Sequence, residues 1–129
     1  MALTPEILNS FRGPSIWRES DCVYWLHAIT ALSYQSSVWH EEPTELAALR
    51  RARVLYGSYA LAVTAELQGH GYRQIRPRDG VRTLDVIMVE DSHWGTLPAG
   101  VLDTGDWVIR HPYGIAVPWG RFISLWRRL

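Results

Sequence analysis

A chain of 129 residues, 47 % of them hydrophobic, fits one ordinary globular domain over 1–129 with a core of its own. Thirteen arginines against thirteen acidic residues leave no net charge, so no global field draws the protein to nucleic acid or to an anionic membrane. The single cysteine excludes an internal disulfide framework.

All thirteen basic residues are Arg and none is Lys, which fits either genome base composition or a taste for interfaces, where the guanidinium forks onto carboxylates and stacks on rings. Seven tryptophans are many for this length; some must be core, and Trp is also the residue most enriched at binding hot spots. The stretch "MALTPEILNSF" has neither a basic n-region nor an apolar h-region, so no signal peptide is expected. No apolar run approaches the ~18 residues of a membrane span, and no membrane insertion is expected.

In chain order, Thr4-Pro5-Glu6 opens a short helix, with Thr as cap and Pro at the first helical position. "RGPS" closes it. Ser20 or Asp21 caps a second helix over roughly 21 to 34, with Val23, Leu26, Ile29, Ala31 and Leu32 near helical spacing. Two further helical stretches follow, "PTELAALRRARVLY" and "SYALAVTAELQGHG", the first opened by proline and the second closed by glycines.

After Gly71 the pattern changes to strands. "TLDVIMVED" carries a central apolar run that implies burial, and "HWGTLPAGVLD", "DWVIRH" and "GIAVPW" follow, separated by Gly, Pro and Asp turns. The tail "RFISLWRRL" reads equally as a last strand or a short helix. Helices followed by antiparallel strands argue an α+β fold with N-terminal helices packed on a C-terminal antiparallel sheet.

Chemistry centres on "ESDCVYWLHAIT". A lone cysteine is more often a small buried filler than a nucleophile. Cys22, however, follows three polar residues at a predicted helix start. There the partial positive charge favours a thiolate and free backbone N–H groups can hold a developing oxyanion. A thiol nucleophile also needs an imidazole base, itself oriented by a third group. His93 is expected to begin a strand and His111 to end the next, which sets the two opposite each other across an antiparallel hairpin. Trp94-Gly95 follows His93, and Gly there lets a ligand backbone come close. His27, His40 and His70 read as packing or surface residues. A zinc site on Cys22, His93 and His111 lacks any close ligand pair, so no metal is expected.

The ordered set "GPSIWRESDC", "LDVIMVED" and "HWG…VIRH" resembles the NlpC-type, papain-like cysteine peptidases that cut peptidoglycan stem peptides. The resemblance covers roughly residues 11 to 117. It implies a papain-like α+β fold with Cys22 as nucleophile, His93 as base and His111 as orienting residue, no cofactor, and Trp17, Asp21, Trp94 and Gly95 beside the substrate. Ser15 stands near the position where that family places a Tyr, and "LDV" replaces its Gly-Asp-Val. Compact members occur in phage tails and gene-transfer agents. That setting implies synthesis in a host cytoplasm, delivery within a virion, and phage tail hub or tail-tip proteins as partners. Two functions follow: a peptidase or amidase acting on cell-wall peptides, or a catalytically weak or inactive structural tail component with the same fold.

Overall fold

The computed structural model describes residues 3–17, 19–31 and 41–129. These form four α-helices, a short 3-10 turn at Pro77–Asp79 and one six-stranded antiparallel sheet, an α+β arrangement. The helices are α1 (Pro5–Asn9), α2 (Cys22–Thr30), α3 (Glu45–Tyr56) and α4 (Tyr59–Gly69). The strands are β1 (Tyr72–Ile75), β2 (Val86–Asp91), β3 (Gly95–Val101), β4 (Trp107–His111), β5 (Gly114–Ala116) and β6 (Gly120–Arg128), in the spatial order β1-β6-β2-β3-β4-β5.

Each helix begins where a side chain caps it. Thr4 accepts from the Ile7 N–H, Asp21 from Val23 and Tyr24, Thr44 from Ala47, and Ser58 from Leu61. The second helix is shorter than its apolar spacing suggests: it stops at Thr30, with Ala31 in the left-handed region at φ 54°, and the expected positions 32–34 lie outside the described residues. His40 lies outside them as well.

The strands differ from expectation at two places and decide one alternative that the sequence leaves open. The tail is strand β6, paired to β2 on one side and β1 on the other. Strand β1 has no alternating apolar signature, since only Tyr72 of its four residues is buried, and pairing with β6 holds it in place. His93 does not begin a strand; it sits in the Ser92–Trp94 turn between β2 and β3.

Strand β2 is buried on both faces, which explains its unbroken apolar run. Val86 and Met88 join Trp25, Leu26, Ile29, Val63, Leu67, Tyr72 and Trp126 in the layer between sheet and helices. Ile87 and Val89 face the other way and pack with Ala99, Val101, Ile109 and Leu125. Helix α2 lies directly on β3. Trp25 donates its indole N–H to the Pro98 carbonyl at 3.1 Å, and a Cβ on Gly100 would stand 2.5 Å from Ile29 Cγ2. That close approach fixes how deeply α2, and with it Cys22, sits against the sheet.

Candidate active site

Three helices start at one cavity. Cys22, Glu45 and Tyr59 are the first residues of α2, α3 and α4, and all three line a cavity of about 500 Å³. Trp94, Thr96 and Leu97 close it from the β2–β3 turn and β3, and Arg110, His111 and Pro112 from the end of β4. Leu49, Ala60, Leu97 and Pro112 make much of the wall apolar.

Cys22 is partly exposed and faces this cavity, but its surroundings oppose the thiolate. Burial of the sulfur, with the Asp21 and Glu45 carboxylates beside it, outweighs a hydrogen bond from Tyr59 and pushes the thiol up to about 12. Asp21 is itself fully buried, and its Oδ1 accepts the Val23 and Tyr24 N–H groups at 2.8 and 3.1 Å. Two of the donors expected to hold an oxyanion are therefore already taken by the cap, which also adds negative charge beside the sulfur. Asp21 is a capping residue and lines no part of the cavity.

Arg110 determines where the segment before Cys22 runs. Its guanidinium is buried and donates to the carbonyls of Ser20 (3.0 Å), Gly13 (2.7 Å) and Phe11, and to Ser20 Oγ at 3.4 Å. It also lies over the Phe11 ring. Burial lowers its pKa, while Glu45, Asp21 and Cys22 favour the cation. One side chain of β4 thus ties down Phe11, Gly13 and Ser20 and delivers Cys22 to the cavity.

The two expected histidines are placed differently. His111 lines the cavity with Cys22, and its ring lies flat on Trp94. Its pKa is lowered, by burial first and then by the Arg110 cation, so the imidazole is neutral at pH 7. Nδ1 accepts the Tyr113 N–H at 3.2 Å, which leaves the proton of the neutral ring on Nε2 and makes that nitrogen a donor. His93 is exposed, outside the cavity wall, and its ring meets the same residue, Trp94, in a T-shaped contact at 4.4 Å between centroids. No ring contact joins the two histidines; both meet Trp94. The pairing of Ala99 with Ile109 explains why, because two residues further along the same register Leu97, and not His93, stands across from His111.

Of the remaining expected site residues, Trp94 is in the cavity wall and Trp17 and Gly95 are not. Trp17 packs beside Val23, Ala48 and Ala52 and donates its indole N–H to the Glu42 carbonyl at 3.0 Å. Gly95 answers a backbone demand, φ 83° at the turn into β3. Asp91 holds that turn: it accepts from the His93, Trp94 and Trp119 N–H groups, which keep its carboxyl below the ordinary range. Asp85, from "LDV", is buried and grips Arg127 through both oxygens at 2.9 and 2.8 Å, so its role is to pin the β1–β2 loop on β6.

Nothing in the local sequence marks Glu45, Tyr59, Arg110 or Ser15 as cavity residues, although Glu45 and Tyr59 each follow a capping hydroxyl, Thr44 and Ser58. Ser15 Oγ is buried at the cavity wall and has no hydrogen-bond partner among the described residues. Among the described residues no three His, Cys, Asp or Glu side chains gather as a metal-binding group, and no helix is long and apolar enough to cross a membrane. No family model, no curated protein and no solved structure matches the chain.

Proposed function

We propose that the chain is an NlpC-type, papain-like domain that keeps the cysteine-bearing groove of that architecture and uses it to hold a peptide segment without cleaving it, as a structural component of a phage tail. The observation that carries this reading is the geometry around Cys22, where the Asp21 cap occupies the Val23 and Tyr24 N–H groups that an oxyanion would use. Cys22 is held protonated by burial and two carboxylates, and its side-chain hydrogen bond is to Tyr59 and not to an imidazole. The polar edge of the cavity, with Tyr59, Ser15 Oγ and the His111 Nε2–H, suits the carbonyls and amides of a peptide, and its apolar wall suits side chains. The phage-tail setting rests on the resemblance of the ordered sequence segments.

A second reading, peptidase or amidase, draws on one specific observation: Cys22 and His111 share a cavity wall. In that reaction Cys22 would attack an amide carbonyl, an imidazole would take the thiol proton and pass it to the leaving amine, and water would then hydrolyse the thioester. His111 would first have to give up its Tyr113 contact and change tautomer.

The deciding experiment incubates wild type and Cys22→Ala with purified peptidoglycan and follows released muropeptides, alongside binding of purified stem peptides read by tryptophan fluorescence. Binding that Trp94→Phe weakens, with release equal in wild type and Cys22→Ala, supports the binding reading. Release that disappears in Cys22→Ala overturns it.

A further inference from the structure

The charge of this neutral chain is unevenly distributed. Residues 71–85 and 127–129, which comprise β1, the loop after it and the end of β6, hold six arginines against two aspartates, a net +4. The rest of the chain therefore carries net −4. Asp85 is already spent on Arg127, a pair whose carboxylate is 2 % exposed. Arg73, Arg76, Arg78, Arg82 and Arg128 are all exposed, and none has an ion pair or a side-chain hydrogen bond among the described residues, which include all thirteen acidic side chains.

The topology sets these five along one edge of the sheet, with Arg73 and Arg128 on its opposite faces. Arg73 lies on β1 across from Arg127, and Tyr72 lies across from Arg128. The loop carrying Arg78 and Arg82 is tied to β6 by Arg127, whose Nη2 reaches the Gly80 carbonyl at 2.8 Å while Asp85 accepts from the Arg82 N–H at 2.8 Å. Strand β1 is also an end strand of the sheet, so its outer edge presents main-chain N–H and C=O groups to whatever lies beside it.

We propose that the β1 edge is a docking site for an acidic, extended segment of another protein chain, which pairs with β1 as an added strand while its carboxylates engage the arginines around it. Guanidinium forks match carboxylates bidentately, and strand addition supplies main-chain hydrogen bonds that a patch of charge alone does not. A duplex nucleic acid fits this surface less well. The basic region is one four-residue strand and its flanking loop, and the remaining surface would repel a long polyanion. The inference does not depend on the cysteine groove.

The probe is an N-acetylated ten-residue peptide of alternating Glu and Val, labelled for fluorescence anisotropy, with the Lys-Val peptide, an Nα-methylated Glu-Val peptide and a fifteen-base-pair duplex as comparisons. The Glu-Val peptide should bind in about 50 mM salt and lose about tenfold or more in affinity in about 500 mM salt. The variant Arg73→Glu/Arg76→Glu/Arg78→Glu, folded by circular dichroism, should lose binding, and Arg50→Glu/Arg53→Glu on α3 should retain it. The proposal is overturned by absence of binding, by equal loss in the α3 variant, by equal binding of the methylated peptide, or by tighter binding of the duplex.

Discussion

The indole of Trp94 lies flat against the imidazole of His111, with 5.0 Å between centroids and 3° between planes. The stacked ring takes water from one face of His111, and the Arg110 cation stands next along the strand; both disfavour the imidazolium. Trp94→Ala should therefore raise the His111 pKa back toward its ordinary value, read from the imidazole proton shifts in an NMR titration. An unchanged titration would mean that the stacking is not what keeps the ring neutral.

The same shift makes stability depend on pH. The folded-state pKa of His111 lies below its unfolded value of 6.5, so below that value the unfolded chain binds more protons than the folded one. The His111 contribution is complete above about pH 6.5 and is lost as pH falls through the folded pKa. Urea midpoints for wild type and His111→Gln should converge as pH is lowered from 7.5 to 5. Parallel curves would remove His111 as the source of the dependence.

Cys22 behaves in the opposite sense. With the folded thiol at about 12 against an ordinary 9.0, alkylation by iodoacetamide at pH 8 should be on the order of a hundredfold or more slower in the folded protein than in urea. Tyr59→Phe removes a side-chain contact that favours the thiolate and should slow folded-state alkylation further. Rapid alkylation at neutral pH would instead mark an activated nucleophile and return weight to the peptidase reading.

Much of this arrangement is legible in the sequence, for physical reasons that differ by residue. Asp21, Thr44 and Ser58 act locally, within three residues of the N–H groups they cap, so a reader of the chain can place the starts of α2, α3 and α4. The double burial of β2 is legible in its apolar run. The site is less so, because it depends on register. The chain turns between Leu102 and Asp106, whose main-chain groups are hydrogen-bonded at 2.9 Å, and that tight turn sets Ala99 across from Ile109. A longer connection would have brought His93 to His111. Arg110 is least legible, since its partners lie 90 to 99 residues away and nothing local marks it as buried.

Arg110 should accordingly be the most sensitive residue near the site. Removing the guanidinium in Arg110→Met leaves the Phe11, Gly13 and Ser20 carbonyls without their donor, at a cost of about 2–5 kcal/mol by the usual measure for breaking a buried charged contact. Phe11, Gly13 and Ser20 should loosen with it, so Cys22 alkylation should accelerate more than the loss of global stability explains. A variant with wild-type urea midpoint and alkylation rate would show that the clamp does not position the thiol.

Gly100 tests the seating of α2 from the other side. Its absent Cβ leaves room for Ile29 Cγ2 and for Leu3 Cδ1, which a methyl group would meet at 2.5 and 2.9 Å. Gly100→Ala must push α2 off β3, and overpacking of this kind destabilises by about 1–3 kcal/mol. Because Cys22 is the first residue of the same helix, displacement at Ile29 should also reach the cavity and alter the Cys22 alkylation rate. Trimming the obstructing side chain in Gly100→Ala/Ile29→Ala should recover part of the loss relative to the sum of the two single variants, a coupling read directly from a double-mutant cycle in urea. Strict additivity would mean that helix and sheet are not in contact at this point, and that the depth of Cys22 is set elsewhere.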